Sequence, residues 1–296
     1  MAVSAPELRS WTTPGAQDSA ARTYASIKAA LSQSDELEEF DYDVFLQGSY
    51  ANTTNTRGDS DVDIVAMLRS TFMPDISELP IADRVRYEAN RIPGTTSAME
   101  FRALVRQALA DYYGEGRVHS KNKCIRVDKT SGYVDADVVP ALQQRKFIHY
   151  PNNGSAIYIE GISIQPLEGG RVVNYPKEHI DNGSAKNERC GDRYKPTVRQ
   201  IKRLRRRAVE LGQVAQGSAP GYLLECMVYN VPDRLFLYDD VARVASVLSW
   251  LVGKSPEELA NQCMSGDEIH HLFVDDPGQH NEYTAKRVLE ALWKVL

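Results

Sequence analysis

The sequence predicts an α+β protein, with a small mixed sheet and its helices in the amino-terminal part and a helical lobe after it. Three observations carry this expectation. Short apolar runs alternate with helix-period segments up to about residue 140. From Pro151 the texture changes to Asn, Gly and short strand-like pieces. Beyond Pro196 apolar residues recur at helical spacing almost throughout.

Taken in order, residues 18–31 read as a helix after the Pro14-Gly15 turn. Residues 43–46 read as a short strand leading into Gly48-Ser49, and the nearly all-apolar stretch 62–68 as a buried central strand. A polar connection follows, then an amphipathic helix over 98–113 closed by Gly114. Strands are expected near 123–127 and 133–139, then at 156–164 and 171–175. Helices are expected at 197–212, 222–229, 239–252 and 284–295. The division falls at residue 175: a core of residues 1–175 that includes the amino-terminal helix, then a helical domain of 176–296, with a ligand cleft expected between them.

Composition narrows the class. A chain of 296 residues, 42% hydrophobic, can bury a substantial core. No apolar run approaches the roughly 18 residues of a membrane span, and the amino terminus lacks the basic-then-apolar layout of a secretory signal, so a cytoplasmic protein is expected. Cys124, Cys190, Cys226 and Cys263 lie far apart with no Cys-x-x-Cys pair, which argues against a zinc ribbon or a disulfide framework and for reduced, mostly buried thiols. A net charge of −5 does not advertise the surface to long nucleic acid. Basic residues nevertheless cluster at Arg199, Lys202, Arg203, Arg205, Arg206 and Arg207, of which Arg199, Lys202, Arg203 and Arg206 share one helix side. Such a stripe suits a compact polyphosphate, and a solvated helix face is the plainer alternative.

The chemistry concentrates in the stretch from Gln47 to Leu68. A Gly48-Ser49 turn precedes Asp61-Val62-Asp63 at the head of the apolar strand. One residue apart in extended chain, Asp61 and Asp63 leave the same face and can share hard cations. Two divalent ions about 3.5–4 Å apart would activate an attacking hydroxyl and neutralise a leaving pyrophosphate. Backbone amides in a Gly-Ser turn point at phosphate oxygens, and the hydroxyl adds a donor. A third ligand is expected from Gly132-Tyr133-Val134-Asp135-Ala136-Asp137-Val138-Val139-Pro140. Asp137 is the choice, although Asp135 is its same-face neighbour and spacing alone does not separate the two.

With Gly48-Ser49, Asp61-x-Asp63 and Asp137-Val-Val-Pro in this order, the chain resembles the DNA polymerase β-like nucleotidyltransferases. Within them it is similar to the bacterial cGAS/DncV-like enzymes (CD-NTases), most specifically the E clade, CdnE. The similarity extends through 11–31, Leu46 to Tyr50, Val172 to Lys177, Asn182 to Asn187, Tyr194 to Thr197 and Leu224 to Pro232. It implies a polymerase β-like core, a helical carboxyl-terminal lobe of the poly(A) polymerase and oligoadenylate synthetase type, and an active site in the cleft. It also implies a template-independent synthase that joins two nucleoside triphosphates into a cyclic dinucleotide; a monomer is expected. That product is the second messenger of the anti-phage system CBASS and reaches a downstream effector.

Residue by residue, the resemblance makes Asp61, Asp63 and Asp137 the ligands of two magnesium ions, with manganese a substitute. Gln47, Gly48 and Ser49 would bind the donor nucleotide. Lys202, with Arg199 one turn earlier, would clamp the terminal phosphates, and Lys186 is a second candidate. For each cation a side chain that merely solubilises its helix is the alternative. Asn174 falls where the resemblance puts a base-reading position, and an asparagine there accompanies use of UTP. Its amide offers an acceptor and a donor side by side, complementing N3-H and O4 of uracil, while a strand-ending asparagine bonded to its own backbone is the alternative.

The expected reaction therefore joins UTP and ATP into cyclic UMP-AMP, with cyclic di-UMP second. Two readings of other kinds remain, a transferase acting on RNA or a small-molecule acceptor and an inactive nucleotide-binding module. The first lacks a broad basic surface; the second would have little reason to keep mutually repelling acids. Gly221 departs from the serine that the resemblance expects before Tyr222-Leu223-Leu224-Glu225. Tyr222 and Tyr229 could stack on a base but suit a core equally. Asp59 is assigned to the Arg57-Gly58 turn, His270-His271 to the surface, and Glu225 to a buried hydrogen bond.

Overall fold

The computed structural model describes residues 3–15, 17–56, 61–273 and 280–296. The Arg57-Gly58 turn and Asp59 lie outside the described residues. In chain order the elements are α1 (Ala5–Ser10), α2 (Asp18–Ser32), β1 (Tyr42–Gln47), α3 (Gly48–Ala51), β2 (Asp61–Asp75), α4 (Ile81–Asn90), α5 (Ala98–Tyr113), β3 (Val118–Ser120), β4 (Ile125–Val127), β5 (Asp135–His149), β6 (Ile157–Ile164), β7 (Val172–Asn174), α6 (Pro176–Arg189), α7 (Tyr194–Glu210), α8 (Gly221–Tyr229), α9 (Asp240–Val252), α10 (Pro256–Gln262) and α11 (Glu282–Val295). They fall into two compact units. One, Gln17–Gln47 with Ser60–Lys177, holds the whole sheet; the other gathers Met1–Ala16, Gly48–Asp59 and Glu178–Leu296.

The sheet is mixed, as the alternation of strands and helices predicts. Its order is β1-β2-β5-β4-β3, β2 and β5 run parallel, and the other pairs are antiparallel. β5 is long enough to pair with β4 through Ala136 to Val138 and with β6 from Leu142 onward, and β7 then adds to β6. Val62, Ile64 and Leu68 alternate on one face in register with Ala136, Val138 and Leu142, all buried, and α2 and α5 pack against these strands. On the other face Val65, Met67, Val139, Ala141, Ile162 and Ile164 form an apolar cluster. The acids at the heads of β2 and β5 continue that second face, where no helix of α2 or α5 would have to bury them.

Local signals fix several ends. α5 opens with a capping box, Ser97 accepting from the Glu100 amide and Glu100 from the Ser97 amide, and stops at Gly114 with φ +87°. Besides the short α1, α3 and α10, two longer helices are absent from the periodicity, and their buried faces carry polar residues. α4 buries Asp83 and Tyr87, with Asp83 accepting from the Tyr150 amide at 2.8 Å and from His149 at 2.6 Å. α6 buries His179, Gly183 and Lys186. β2 and β5 also extend past the expected ends, to Asp75 and His149, where polar side chains break the apolar runs and the β2–β5 pairing shifts register after Leu68 and resumes at Phe72.

In the helical unit one face of α7, Tyr194, Val198, Ile201, Leu204 and Ala208, packs with α8, α9 and α11 in a single apolar cluster that also includes Leu8 and Trp11. α8 is buried from Leu223 to Tyr229. Gln200 donates to the Leu8 carbonyl at 3.0 Å, which helps explain why the amino-terminal segment belongs with these helices. Among the described residues no helix is long and apolar enough to cross a membrane.

Candidate active site

Strand register assembles the acids. Asp61 lies opposite Asp135 and Asp63 opposite Asp137 across the parallel pair of β2 and β5. β1 sets Gln47 opposite Asp63, and β4 sets Arg126 opposite Asp137. Laterally paired residues share a sheet face, so Gln47, Asp63, Asp137 and Arg126 form a row across four strands, with Asp61 and Asp135 two residues back on the same side. On that face β5 continues to Gln143, which pairs with Ile162, which pairs with Asn174. Asn174 is exposed, and its amide makes no hydrogen bond among the described residues.

Arg126 is the group that the sequence reading missed. Its guanidinium lies 3.0 Å from Asp61, 2.9 Å from Asp135, 3.6 Å from Asp137 and 3.7 Å from Asp128. The hydrogen bond to Asp61, assisted by the other carboxylates, holds the guanidinium pKa above its ordinary value. A lone Arg between Ile125 and Val127 carries no motif; Asp128 is two residues on, and the pairing of β4 with β5 and of β5 with β2 brings it to the other three acids.

The carboxyl of Asp137 titrates above its usual range because burial outweighs the attraction of Arg126. Its Oδ1 is buried and accepts no hydrogen bond among the described residues. Hard oxygens on one face, an unsatisfied buried acceptor and a cation already drawn in are what a divalent ion site offers. As they stand, no three His, Cys, Asp or Glu side chains among the described residues are gathered closely enough to hold an ion. Asp61 turns its carboxylate to the Arg126 guanidinium, with contacts of 3.0 and 3.4 Å. Cys124, next to Asp137, has its thiol pushed up to about 12, chiefly by burial, and stays protonated.

Gly48 has φ +68°, a conformation that costs glycine little, and opens α3 directly from β1 rather than making an isolated turn. The Ser49 carbonyl accepts from the amides of Thr54 at 2.9 Å and Asn55 at 3.1 Å. The three candidate cations are not free side chains, and neither an open phosphate clamp nor a solvated face describes them. Lys202, 5% exposed, donates to Glu225 at 2.8 Å and to the Thr54 hydroxyl at 3.1 Å. Arg199 donates to the Thr12 carbonyl at 2.6 Å and to that of Thr53, and burial brings its pKa down to about 10. Lys186 is elsewhere in the helical unit, donating to the Val231 carbonyl at 2.8 Å and to Asp233 at 2.7 Å.

Of the residues set aside, Asp59 lies outside the described residues and the others can be placed. Glu225 is buried and hydrogen-bonded; His270 pairs with Asp267 at 2.9 Å at partial exposure. Tyr229 is core, while Tyr222 is half-exposed with its ring 5.4 Å from that of His179. A Cβ on Gly221 would stand 3.3 Å from Cε of Lys202, so the missing side chain leaves room for that lysine. The cysteines are all free, three of them buried.

Comparison with known proteins identifies the family. Residues 26–97 match the nucleotidyltransferase domain, and residues 181–296 match the cGAS/DncV-like nucleotidyltransferase C-terminal helical domain. The chain is 39% identical to a cyclic UMP-AMP synthase of Rhodothermus marinus over 99% of its own length and 98% of that protein. It is 35% identical to a cyclic dipyrimidine nucleotide synthase, CdnE, of Legionella pneumophila, over 96% and 94%. The solved structure of the Rhodothermus marinus CdnE c-UMP-AMP synthase with Apcpp and Upnpp superposes with a TM-score of 0.85 at 37% identity, covering 98% of this chain and 95% of that one. The polymerase β-like nucleotidyltransferase core and the helical carboxyl-terminal domain are thus shared with solved relatives. The chain belongs to the cGAS/DncV-like nucleotidyltransferases, as a cyclic dinucleotide synthase of the CdnE type.

Proposed function

We propose that the protein joins UTP and ATP into cyclic UMP-AMP in a magnesium-dependent reaction, as the messenger-producing enzyme of a cytoplasmic CBASS defence whose effector senses the product. The observation that carries this is the row of carboxylates sharing its sheet face with Asn174. Similarity to a protein named cyclic UMP-AMP synthase supports the pair of bases.

Asp61, Asp63 and Asp137 would hold two magnesium ions, which when bound supply charge neutralisation at the phosphates and a more acidic attacking hydroxyl. Arg126 must give up Asp61 for that to happen. Gln47, at the end of β1 opposite Asp63, and the backbone of Gly48 and Ser49 would hold the donor triphosphate. A hydroxyl of one nucleotide attacks the α-phosphorus of the other, the new P–O bond forms as pyrophosphate leaves, and a second round closes the ring. Asn174 would pair with the uracil edge, and the absence of any hydrogen bond to its own backbone favours that role over a strand-ending one. Lys202 and Arg199 act next to the Gly48-Ser49 segment; Lys186 reaches a phosphate only by leaving Asp233. Cyclic di-UMP is the second reading, favoured by the relative named as a dipyrimidine synthase.

Incubation with labelled pairs of triphosphates and magnesium, followed by phosphatase, tests the proposal. A phosphatase-resistant product that requires UTP is expected. Combining Asp61→Asn with Asp63→Asn should abolish it, and Asn174→Ser should erode the preference for uridine. Persistence of the product in the double variant would refute the assigned metal role.

A further inference from the structure

Glu225 is the one carboxylate in the buried helix α8, 4% exposed, and it collects more partners than a single charge needs. Oε1 accepts from the Asn52 amide at 2.9 Å and lies 3.2 Å from Nε2 of His179. Oε2 accepts from the Thr54 hydroxyl at 2.5 Å and from Lys202 at 2.8 Å. Burial alone would raise its pKa, but Lys202 and His179 outweigh that and hold the carboxyl well below the ordinary range.

Two of these partners, Asn52 and Thr54, are not helical-domain residues in sequence. They belong to the short segment that begins with Gly48-Ser49. The other residues of the segment are tied to the same helical unit: Arg199 to the Thr53 carbonyl, Lys202 to the Thr54 carbonyl at 3.3 Å, and Arg206 to the Thr56 hydroxyl at 3.2 Å. The Thr54 and Asn55 amides in turn hold the Ser49 carbonyl. A continuous path of hydrogen bonds therefore runs from Glu225 through Thr54 to the backbone of Ser49.

We propose that Glu225 is a positioning residue for the donor triphosphate: through Thr54 and Asn52 it fixes the backbone of Gly48 and Ser49, and through Lys202 it sets the nearest cation against the same segment. The proposal rests on the reading of Gly48-Ser49 as the phosphate-holding segment. It explains why Arg199 and Lys202 on the positive side of α7 are buried, since they are spent on the loop's carbonyls and hydroxyl. It also gives a buried ion pair, which contributes little net stability by itself, a functional reason to exist. A loop held at one end only by β1 would sample orientations that point its amides away from a phosphate. Anchoring at residues 52 to 56 removes that freedom before nucleotide binds, and preorganisation of this kind shows up as affinity.

The test compares Thr54→Val, Thr54→Ser and Glu225→Gln in the full-length protein. Binding of non-hydrolysable ATP and UTP analogues with magnesium is measured by calorimetry, alongside steady-state kinetics and thermal melting. Thr54→Val removes the loop's hydroxyl while leaving Glu225 paired with Lys202, so it isolates the anchor even if Glu225→Gln fails to fold. Analogue binding and KM are expected to weaken about tenfold in Thr54→Val, with kcat changed much less, and Thr54→Ser should restore both. Unchanged binding and KM in Thr54→Val, or a loss of kcat and melting temperature that Thr54→Ser does not rescue, overturns the positioning role and leaves the synthase reading standing. Wild-type protein that binds neither analogue overturns the synthase reading, and this proposal with it.

Discussion

Arg126 occupies a position that a single residue rarely holds, between four carboxylates on three neighbouring stretches of chain. Without it Asp61, Asp128, Asp135 and Asp137 would face one another with only solvent to separate their charges. Asp61 and Asp128 are substantially exposed, so screening limits the effect. Arg126→Ala should therefore cost about 1–2 kcal/mol, most of it from the more buried Asp135 and Asp137. In a chain of this size that is a fall of a few degrees in melting temperature. Magnesium should restore more stability to the variant than it adds to the wild type, because a cation is returned to acids that have lost their own. Equal response of both proteins to magnesium in a melting experiment would show that Arg126 does not neutralise the set. The sequence made Asp61, Asp63 and Asp137 legible through spacing and order; Arg126 has no such signature, because apart from Asp128, two residues on, its partners are 9 to 65 positions away.

Among the elements, β6 and β7 decide where Asn174 stands. Gly161 on β6 has no room for a side chain: a Cβ would sit 2.7 Å from the Asn174 carbonyl oxygen and 2.7 Å from the Tyr175 ring. A backbone oxygen on a paired strand cannot swing aside as a flexible side chain does. Gly161→Ala should displace the end of β7, costing about 1–3 kcal/mol. It should also disturb base selection, read as a change in the ratio of products from mixed triphosphates. A variant with normal melting and normal product ratio would mean that β7 has slack that the close contact denies. From sequence, β6 and β7 were visible as strand-like pieces, and the glycine was not, since its constraint comes from a neighbouring strand. The same contrast separates α5 from α6. The first carries both a capping box and an apolar stripe and was read to the residue, whereas the second buries a histidine, a glycine and a lysine and leaves no period to read.

For the whole molecule, the two compact units do not follow the chain as one break. The amino-terminal segment and the stretch from Gly48 belong with the helices because α7 and α8 carry buried polar groups whose partners lie there: Gln200 for Leu8, Arg199 for Thr12 and Thr53, Glu225 for Asn52 and Thr54. Residues 178–296 expressed alone would bury or expose these groups unpaired, each at about 1–3 kcal/mol, against a domain stability of about 5–15 kcal/mol. Such a fragment should melt without a cooperative transition, and adding residues 1–177 as a separate chain should recover one. A sharply folded isolated fragment would show that the contacts made by these two segments are dispensable.

The sequence by itself determined the α+β class, the order of most strands and helices, the acids at the heads of two apolar strands and the family, because each is written in local spacing or in the order of short motifs. Only the tertiary structure decided what those side chains meet. It put Arg126 among the acids, spent the cations of α7 on a loop more than 140 residues earlier and gave Glu225 its partners. Pairing between strands and between distant segments is set by the packing of whole elements, and no window along the chain contains both members of such a pair.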